Sequence, residues 1–176
     1  MSEGRPQSMT DGEFFADAID RVSDLIGRWL SWLTVACVLV CFTVVVLRYV
    51  FNVGFIWTQE LYVWLHAIVF TGCAGYALKH DKHVRVDVFY ARMSERGRAW
   101  VNLAGATLMI LPWMALTVWL VWPWVAQSWS MRESSGMPDG MPAVYLLKAM
   151  LLVMPALLAL QAVAIAARSL RILQRR

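Results

Sequence analysis

The chain has 176 residues, of which 60% are hydrophobic and 16% are charged, and its mean hydropathy is +0.55. Average soluble domains are about half apolar and about a quarter charged, so this composition favours the lipid bilayer. It excludes disordered, collagenous and disulfide-stapled secreted chains. A chain of this length cannot hold a large soluble catalytic domain in addition to membrane segments.

Four uncharged stretches, each bracketed by charged residues, predict membrane spans. A span needs about 20 apolar residues, because a helix rises about 1.5 Å per residue across about 30 Å of hydrocarbon. The third stretch, residues 99–131, is too long for one crossing and too short for two, so we expect one tilted helix that leaves the membrane near Pro123. The predicted spans cover residues 29–47, 61–78, 100–123 and 146–167.

Lys and Arg are distributed unevenly between the segments that connect these spans. The two tails and the loop between spans two and three carry 13, whereas the opposite side has only Arg48, Arg132 and Lys148. Positive residues accumulate on the cytoplasmic side, so both termini are expected in the cytoplasm. The net charge of +4 then reflects the orientation of the chain in the membrane. We expect the basic side chains to contact membrane lipids rather than nucleic acid.

The segments outside the spans are predicted to include amphipathic helices at the cytoplasmic membrane surface. Residues 1–28 form the first, because apolar residues recur at helical spacing from Phe14 onward and acidic residues fill the other face. Residues 84–97 form the second, and residues 168–176 form a basic tail. The sequence therefore predicts an all-α integral membrane protein whose four transmembrane helices lie within residues 29–167.

His66 is the only histidine inside a predicted span, and an ionisable residue at such a position is a candidate functional residue. A haem held by two histidines needs a second one at matching depth, and the sequence has none. We therefore expect no cofactor, and we favour packing of His66 against a neighbouring helix or a position near the outer boundary of the membrane. The three cysteines also lie within spans, where we interpret them as small apolar side chains.

Residues 80–87 contain metal-compatible side chains. His83 and Asp87 lie four positions apart and would share a helix face. No complete ligand set with an open position accompanies them, so we expect no metal and favour a polar junction between span two and the surface helix.

Arg48 and Glu60 lie at opposite ends of the short outer connection between spans one and two. Two interpretations stay open: an ion pair that fixes the hairpin, or two snorkelling charges without mutual contact. Neither charge lies at mid-membrane depth, which argues against a small four-helix proton antiporter. The sequence has no phosphate-binding Gly-rich loop or catalytic triad, so no enzymatic activity is expected.

Four motifs in order resemble a known family. They are the Arg48-Tyr-Val-Phe-Asn run, the Trp57-Thr-Gln-Glu60-Leu run, the small-residue run from Thr71 through Gly72 to Gly75, and His83-Val-Arg-Val-Asp87. Together they resemble the small membrane subunit of tripartite ATP-independent periplasmic (TRAP) transporters, the DctQ type. Gln59 is one departure, since that family often has a second acid beside Glu60.

The resemblance implies a multi-pass subunit of the bacterial inner membrane. Its partners would be a large membrane subunit, with which it forms a heterodimer, and a periplasmic binding protein that docks transiently. The large subunit would import an organic acid, commonly a carboxylate, with Na⁺, and the small subunit would enlarge its static scaffold. The alternatives are the membrane anchor of a respiratory oxidoreductase, which predicts paired histidines, and a self-sufficient four-helix transporter.

The 13-to-3 distribution of Lys and Arg gives a topology prediction. Reporter fusions at the C-terminus and within residues 133–142 are expected to report opposite sides of the membrane, with the C-terminus cytoplasmic. A periplasmic C-terminal reporter would contradict the predicted orientation.

Overall fold

A computed structural model describes residues 11–80 and 90–174, and this part of the chain is helical without β-strands. Its elements are α1 (Asp11–Tyr49), α2 (Ile56–Gly72), α3 (Ala74–Lys79), α4 (Glu95–Ala104), a π-helical turn (Gly105–Ile110), α5 (Leu111–Ser130) and α6 (Val144–Gln174). Four helical segments are long and apolar enough to cross a membrane: Ala16–Tyr49, Ile56–Lys79, Glu95–Ser130 and Val144–Gln174. The predicted all-α fold with four spans is confirmed.

The helices extend beyond the predicted spans. α1 is a single helix of 39 residues with no break at Arg28, and its first turns pack along α6 through a cluster of Ala16, Ile19 and Ala164. α6 continues to Gln174, so residues 168–174 of the predicted tail are helical. Both helices continue through charged residues at these ends, because the backbone hydrogen bonds continue and the charged side chains bind partners in the chain.

The third spanning helix continues beyond Pro123, where we expect it to leave the membrane. α5 passes through Pro123 and ends at Ser130. Proline removes one backbone donor and bends a helix, but ending the helix in lipid would expose several unpaired backbone groups. Pro112 follows a π-helical turn in which the amide of Leu111 donates to the carbonyl of Ala106, five residues earlier.

The predicted surface helix over residues 84–97 is interrupted in its described part. Residues 91–94 are not helical, and Glu95 begins the helix that becomes the third span. Ser94 caps this helix, since its hydroxyl accepts from the amide of Gly97 at 3.2 Å. Residues 81–89, including His83 and Asp87, lie outside the described residues.

α6 is the central helix, because it contacts each of the other helices. Leu78 of α3, Met114 of α5 and Leu158 of α6 form a buried cluster between them. α3 approaches α6 closely at Gly75, where an added Cβ would lie 3.3 Å from both Cβ and the carbonyl oxygen of Leu157. Gly72 lies one turn earlier against Leu30 of α1. The small residues at the end of α2 and the start of α3 therefore allow close contact with α1 and α6.

Candidate functional site

A polar cluster joins three helices at the end of the bundle where the two termini lie. We call it the terminus-side cluster. Its members come from α1, from the end of α3 and from α6: Asp20, Ser23, Asp24, Lys79, His80, Gln161 and Arg168. The α1 members are spaced three and four residues apart, which places them on one face of the helix.

Asp20 connects α1 to α6. Its Oδ2 lies 2.7 Å from Nη1 of Arg168, and its Oδ1 lies 3.4 Å from Nε2 of Gln161. The same Gln161 nitrogen donates to the hydroxyl of Ser23 at 2.7 Å. Gln161 is completely buried and Ser23 is 5% exposed, so these bonds lie where water does not replace them.

Asp24 connects α1 to the end of α3. Its Oδ2 lies 2.5 Å from Nζ of Lys79, and its Oδ1 lies 3.0 Å from Nε2 of His80. Lys79 also donates to the backbone carbonyl of Asp20 at 3.2 Å. Both carboxylates of the cluster are thus balanced by cations of the same chain, which suits a joint between helices rather than a site for a further cation.

Sequence reasoning missed this cluster. The acidic face of α1 pairs with Lys79 and His80 at the end of α3 and with Arg168 of α6. A signal was present, since acidic residues four apart on α1 match basic residues at the same-side ends of spans two and four. To identify these partners from the sequence, one would have to know that α1 packs against both α3 and α6.

The terminus-side cluster predicts that Asp20→Ala destabilises the isolated chain. The change removes the carboxylate that Arg168 pairs with and the longer of the two hydrogen bonds of the Gln161 amide, which costs about 1–3 kcal/mol of unfolding free energy. Asp17→Ala is the matched control, because Asp17 lies one turn away and is exposed. Thermal unfolding in detergent should show a lower midpoint for Asp20→Ala only; equal midpoints for the two variants would contradict the role of the cluster.

A second cluster lies at the opposite end of the bundle, and we call it the loop-side cluster. Glu60 of α2 accepts from the hydroxyl of Ser135 at 2.5 Å and from the amide of Met141 at 2.6 Å. The loop is closed on itself, because the amide of Ser135 donates to the carbonyl of Met141 at 3.1 Å. Glu60 therefore fastens the loop between α5 and α6 onto the start of α2.

The base of this loop is held by a second ion pair. Nζ of Lys148 lies 2.5 Å from Oε2 of Glu133 and 4.1 Å from the ring centroid of Trp124. The hydrogen bond from the Lys148 ammonium holds the pKa of Glu133 below its usual range. Glu133 thus stays ionised at neutral pH, and its protonation in acid weakens the pair.

The ion pair between Arg48 and Glu60, one of the two interpretations of the hairpin, does not form. Both carboxylate oxygens of Glu60 are bonded to the loop, and Arg48 is exposed without an ion pair among the described residues. Neutral hydroxyl and amide donors satisfy the carboxylate without removing a second charge from water. Trp57 lies one turn before Glu60 on α2, and its ring centroid is 6.4 Å from that of Phe55.

The loop-side cluster predicts that Glu60→Ala changes hydrogen exchange at the amide of Met141 and that Arg48→Gln does not. Removing the Glu60 carboxylate should speed hydrogen exchange at the amide of Met141 at least about tenfold, since a bond to a charged acceptor contributes about 1.5–3 kcal/mol. Arg48→Gln should leave that exchange rate unchanged. If both variants accelerated exchange equally, Arg48 and Glu60 would have to be coupled.

His66 lies on the outward face of α2. Its side chain is exposed and stacks on Phe70, with ring centroids 6.2 Å apart. The structure thus places it away from the neighbouring helices of its own chain, against which it was expected to pack.

The family model described as "Tripartite ATP-independent periplasmic transporters, DctQ component" matches residues 36–172. The chain belongs to the DctQ family. No curated protein matches it, and no solved structure matches it. The DctQ match covers most of the chain, from the middle of α1 nearly to the end of α6, and confirms the resemblance drawn from residues 48–87.

Membership in the DctQ family decides between the alternatives from the sequence. The chain is a small subunit of a TRAP transporter and not an enzyme, and it is a multi-pass protein of the inner membrane. The membrane anchor of a respiratory oxidoreductase is thereby excluded. Asp20, Ser23 and Asp24 lie before the matched region, whereas their partners on α3 and α6 lie within it.

Proposed function

We propose that this DctQ protein is a static scaffold that binds and stabilises the large membrane subunit of its transporter. In this proposal both termini are cytoplasmic. The large subunit imports an organic acid, a carboxylate, together with Na⁺, and a periplasmic binding protein delivers that acid.

The proposal rests on one observation: the carboxylates near the two membrane faces are already bonded to donors of their own chain. Asp20, Asp24 and Glu60 are each bonded to donors of the same chain. A coupling-ion site requires carboxylate or carbonyl oxygens that a cation can reach, and these oxygens already have partners. These bonds link α1 to α3 and α6 at one end and α2 to the loop between α5 and α6 at the other, which suits a part that stays still while another moves.

The outward faces of the helices support a scaffold role as well. α1 exposes large apolar side chains along its whole membrane length: Trp29, Trp32, Val38, Leu39, Phe42 and Val45. In a bilayer this surface does not have to be buried by other helices of the chain. It can contact lipid tails or a larger membrane protein.

Reconstitution with a large TRAP subunit and a periplasmic binding protein from the same organism tests this function. The binding protein is first screened by thermal shift against a panel of small carboxylates, and uptake of the best radiolabelled acid is then measured in proteoliposomes under a Na⁺ gradient. We expect uptake only with all three proteins, and a higher melting midpoint of the large subunit when this chain is present. Uptake by this chain with the binding protein alone would contradict the scaffold role.

A further inference from the structure

Three arginines lie where the third spanning segment begins. Arg92 lies in the short segment before α4, Arg96 and Arg98 lie among the first four residues of α4, and all three are exposed. Nη2 of Arg96 donates at 3.1 Å to the carbonyl of Leu173, near the end of α6. The group therefore lies at the same end of the bundle as the terminus-side cluster. We call Arg92, Arg96 and Arg98 the α4 arginines.

Neutral oxygens hold two of the α4 arginines in place. Nε of Arg98 donates to the carbonyl of Met93 at 3.2 Å, and its Nη2 donates to that of Ala91 at 2.9 Å. The Arg98 guanidinium also lies 5.5 Å from the ring centroid of Tyr90. Arg96 is held by its bond to the α6 carbonyl. A carbonyl orients a guanidinium but leaves its full charge and several of its five N–H donors available to an anion.

No carboxylate balances these charges among the described residues. Asp20 and Asp24, the terminus-side acids with ion pairs, are bonded to cations of α3 and α6 and of the residue after α3. Glu95 is the acid nearest to the α4 arginines in the chain, and it is exposed without an ion pair in the described part. Three arginines and one glutamate leave residues 92–98 with a net charge of +2.

The α4 arginines lie at the boundary of the hydrocarbon. Residues 99–131 that follow them contain no charged side chain, and the indole of Trp100 is 61% exposed, as is typical of the membrane interface. The anion present at this level in every bilayer is the phosphate of a phospholipid. A zwitterionic headgroup brings an ammonium toward the arginines together with its phosphate, whereas an anionic headgroup does not.

We propose that the α4 arginines bind the headgroup of an anionic phospholipid. The phosphate oxygens accept from the guanidinium donors that the backbone carbonyls leave free, and Arg92 adds a third positive charge beside them. Because Arg96 and Arg98 are already oriented within the chain, they lose little side-chain freedom when the lipid binds. The lipid supplies the negative charge that this end of the chain lacks.

Lipid titration of the purified full chain tests this site. The chain is stripped of lipid in a neutral detergent and titrated with phosphatidylglycerol or with phosphatidylethanolamine of the same acyl chains, and native mass spectrometry counts the bound lipids. The test variants are Arg92→Gln and a triple variant in which all α4 arginines are Gln. The matched control is Arg48→Gln with Arg132→Gln, because both arginines are exposed at the loop-side end and have no ion pair among the described residues.

The native chain is expected to bind phosphatidylglycerol at least about tenfold more tightly than phosphatidylethanolamine, since each arginine near an anionic lipid contributes about fivefold. Arg92→Gln should reduce this preference about threefold to fivefold, and the triple variant should abolish it. The loop-side control should keep it. Arg92 makes no bond within the described chain, so its variant leaves the start of α4 intact. Arg98→Lys, which keeps the charge, should retain most of the preference.

Three results would overturn the lipid site. The first is equal binding of the two lipids by the native chain. The second is a preference that the loop-side control loses as fully as the triple variant does, because net charge alone would then explain it. The third is displacement of phosphatidylglycerol by inorganic phosphate at millimolar concentration, which would identify a free phosphate ion as the ligand.

Discussion

The bilayer core contains no water to complete hydrogen bonds, and this constraint shapes the whole chain. Each polar group must find a partner within the protein or lie near a membrane face. Long uninterrupted helices satisfy the backbone, which is why α5 continues through Pro123. Outward threonines donate to carbonyls of their own helix, and the charged side chains that link helices lie near the ends of the spans.

Helix association in this chain depends on polar contacts at the two ends and on small residues between them. Burial of apolar surface gives little advantage in lipid, because lipid tails are as apolar as leucine. Asp20, Asp24 and Glu60 bind partners on other helices or loops, so each of them restrains the chain at a point far away in sequence. Gly75 lets α3 lie directly against the backbone of α6. The two types of contact together fix a bundle that leaves large apolar faces uncovered.

Hydropathy and length predict the four spans well, because each stretch must match the thickness of the hydrocarbon. The ends of the helices are less predictable, since a helix can continue into the headgroup region wherever its side chains find partners. α6 extends to Gln174 in this way, and α1 begins far before its apolar stretch. Ser94 caps the helix that begins at Glu95, so residues 91–94 are not helical, and amphipathic spacing does not reveal this start.

The polar partners were the least predictable feature, because they depend on which helices are neighbours. Proximity in sequence made a pair between Arg48 and Glu60 one of two interpretations, yet the loop that binds Glu60 lies 75 to 81 positions further along the chain. Asp20 and Arg168 are separated by 148 positions. The residue types still restrict the possible pairings, since a carboxylate near a membrane face must be satisfied by some donor on that face. Sequence therefore indicates which side chains need partners, and the arrangement of the helices decides which partners they obtain.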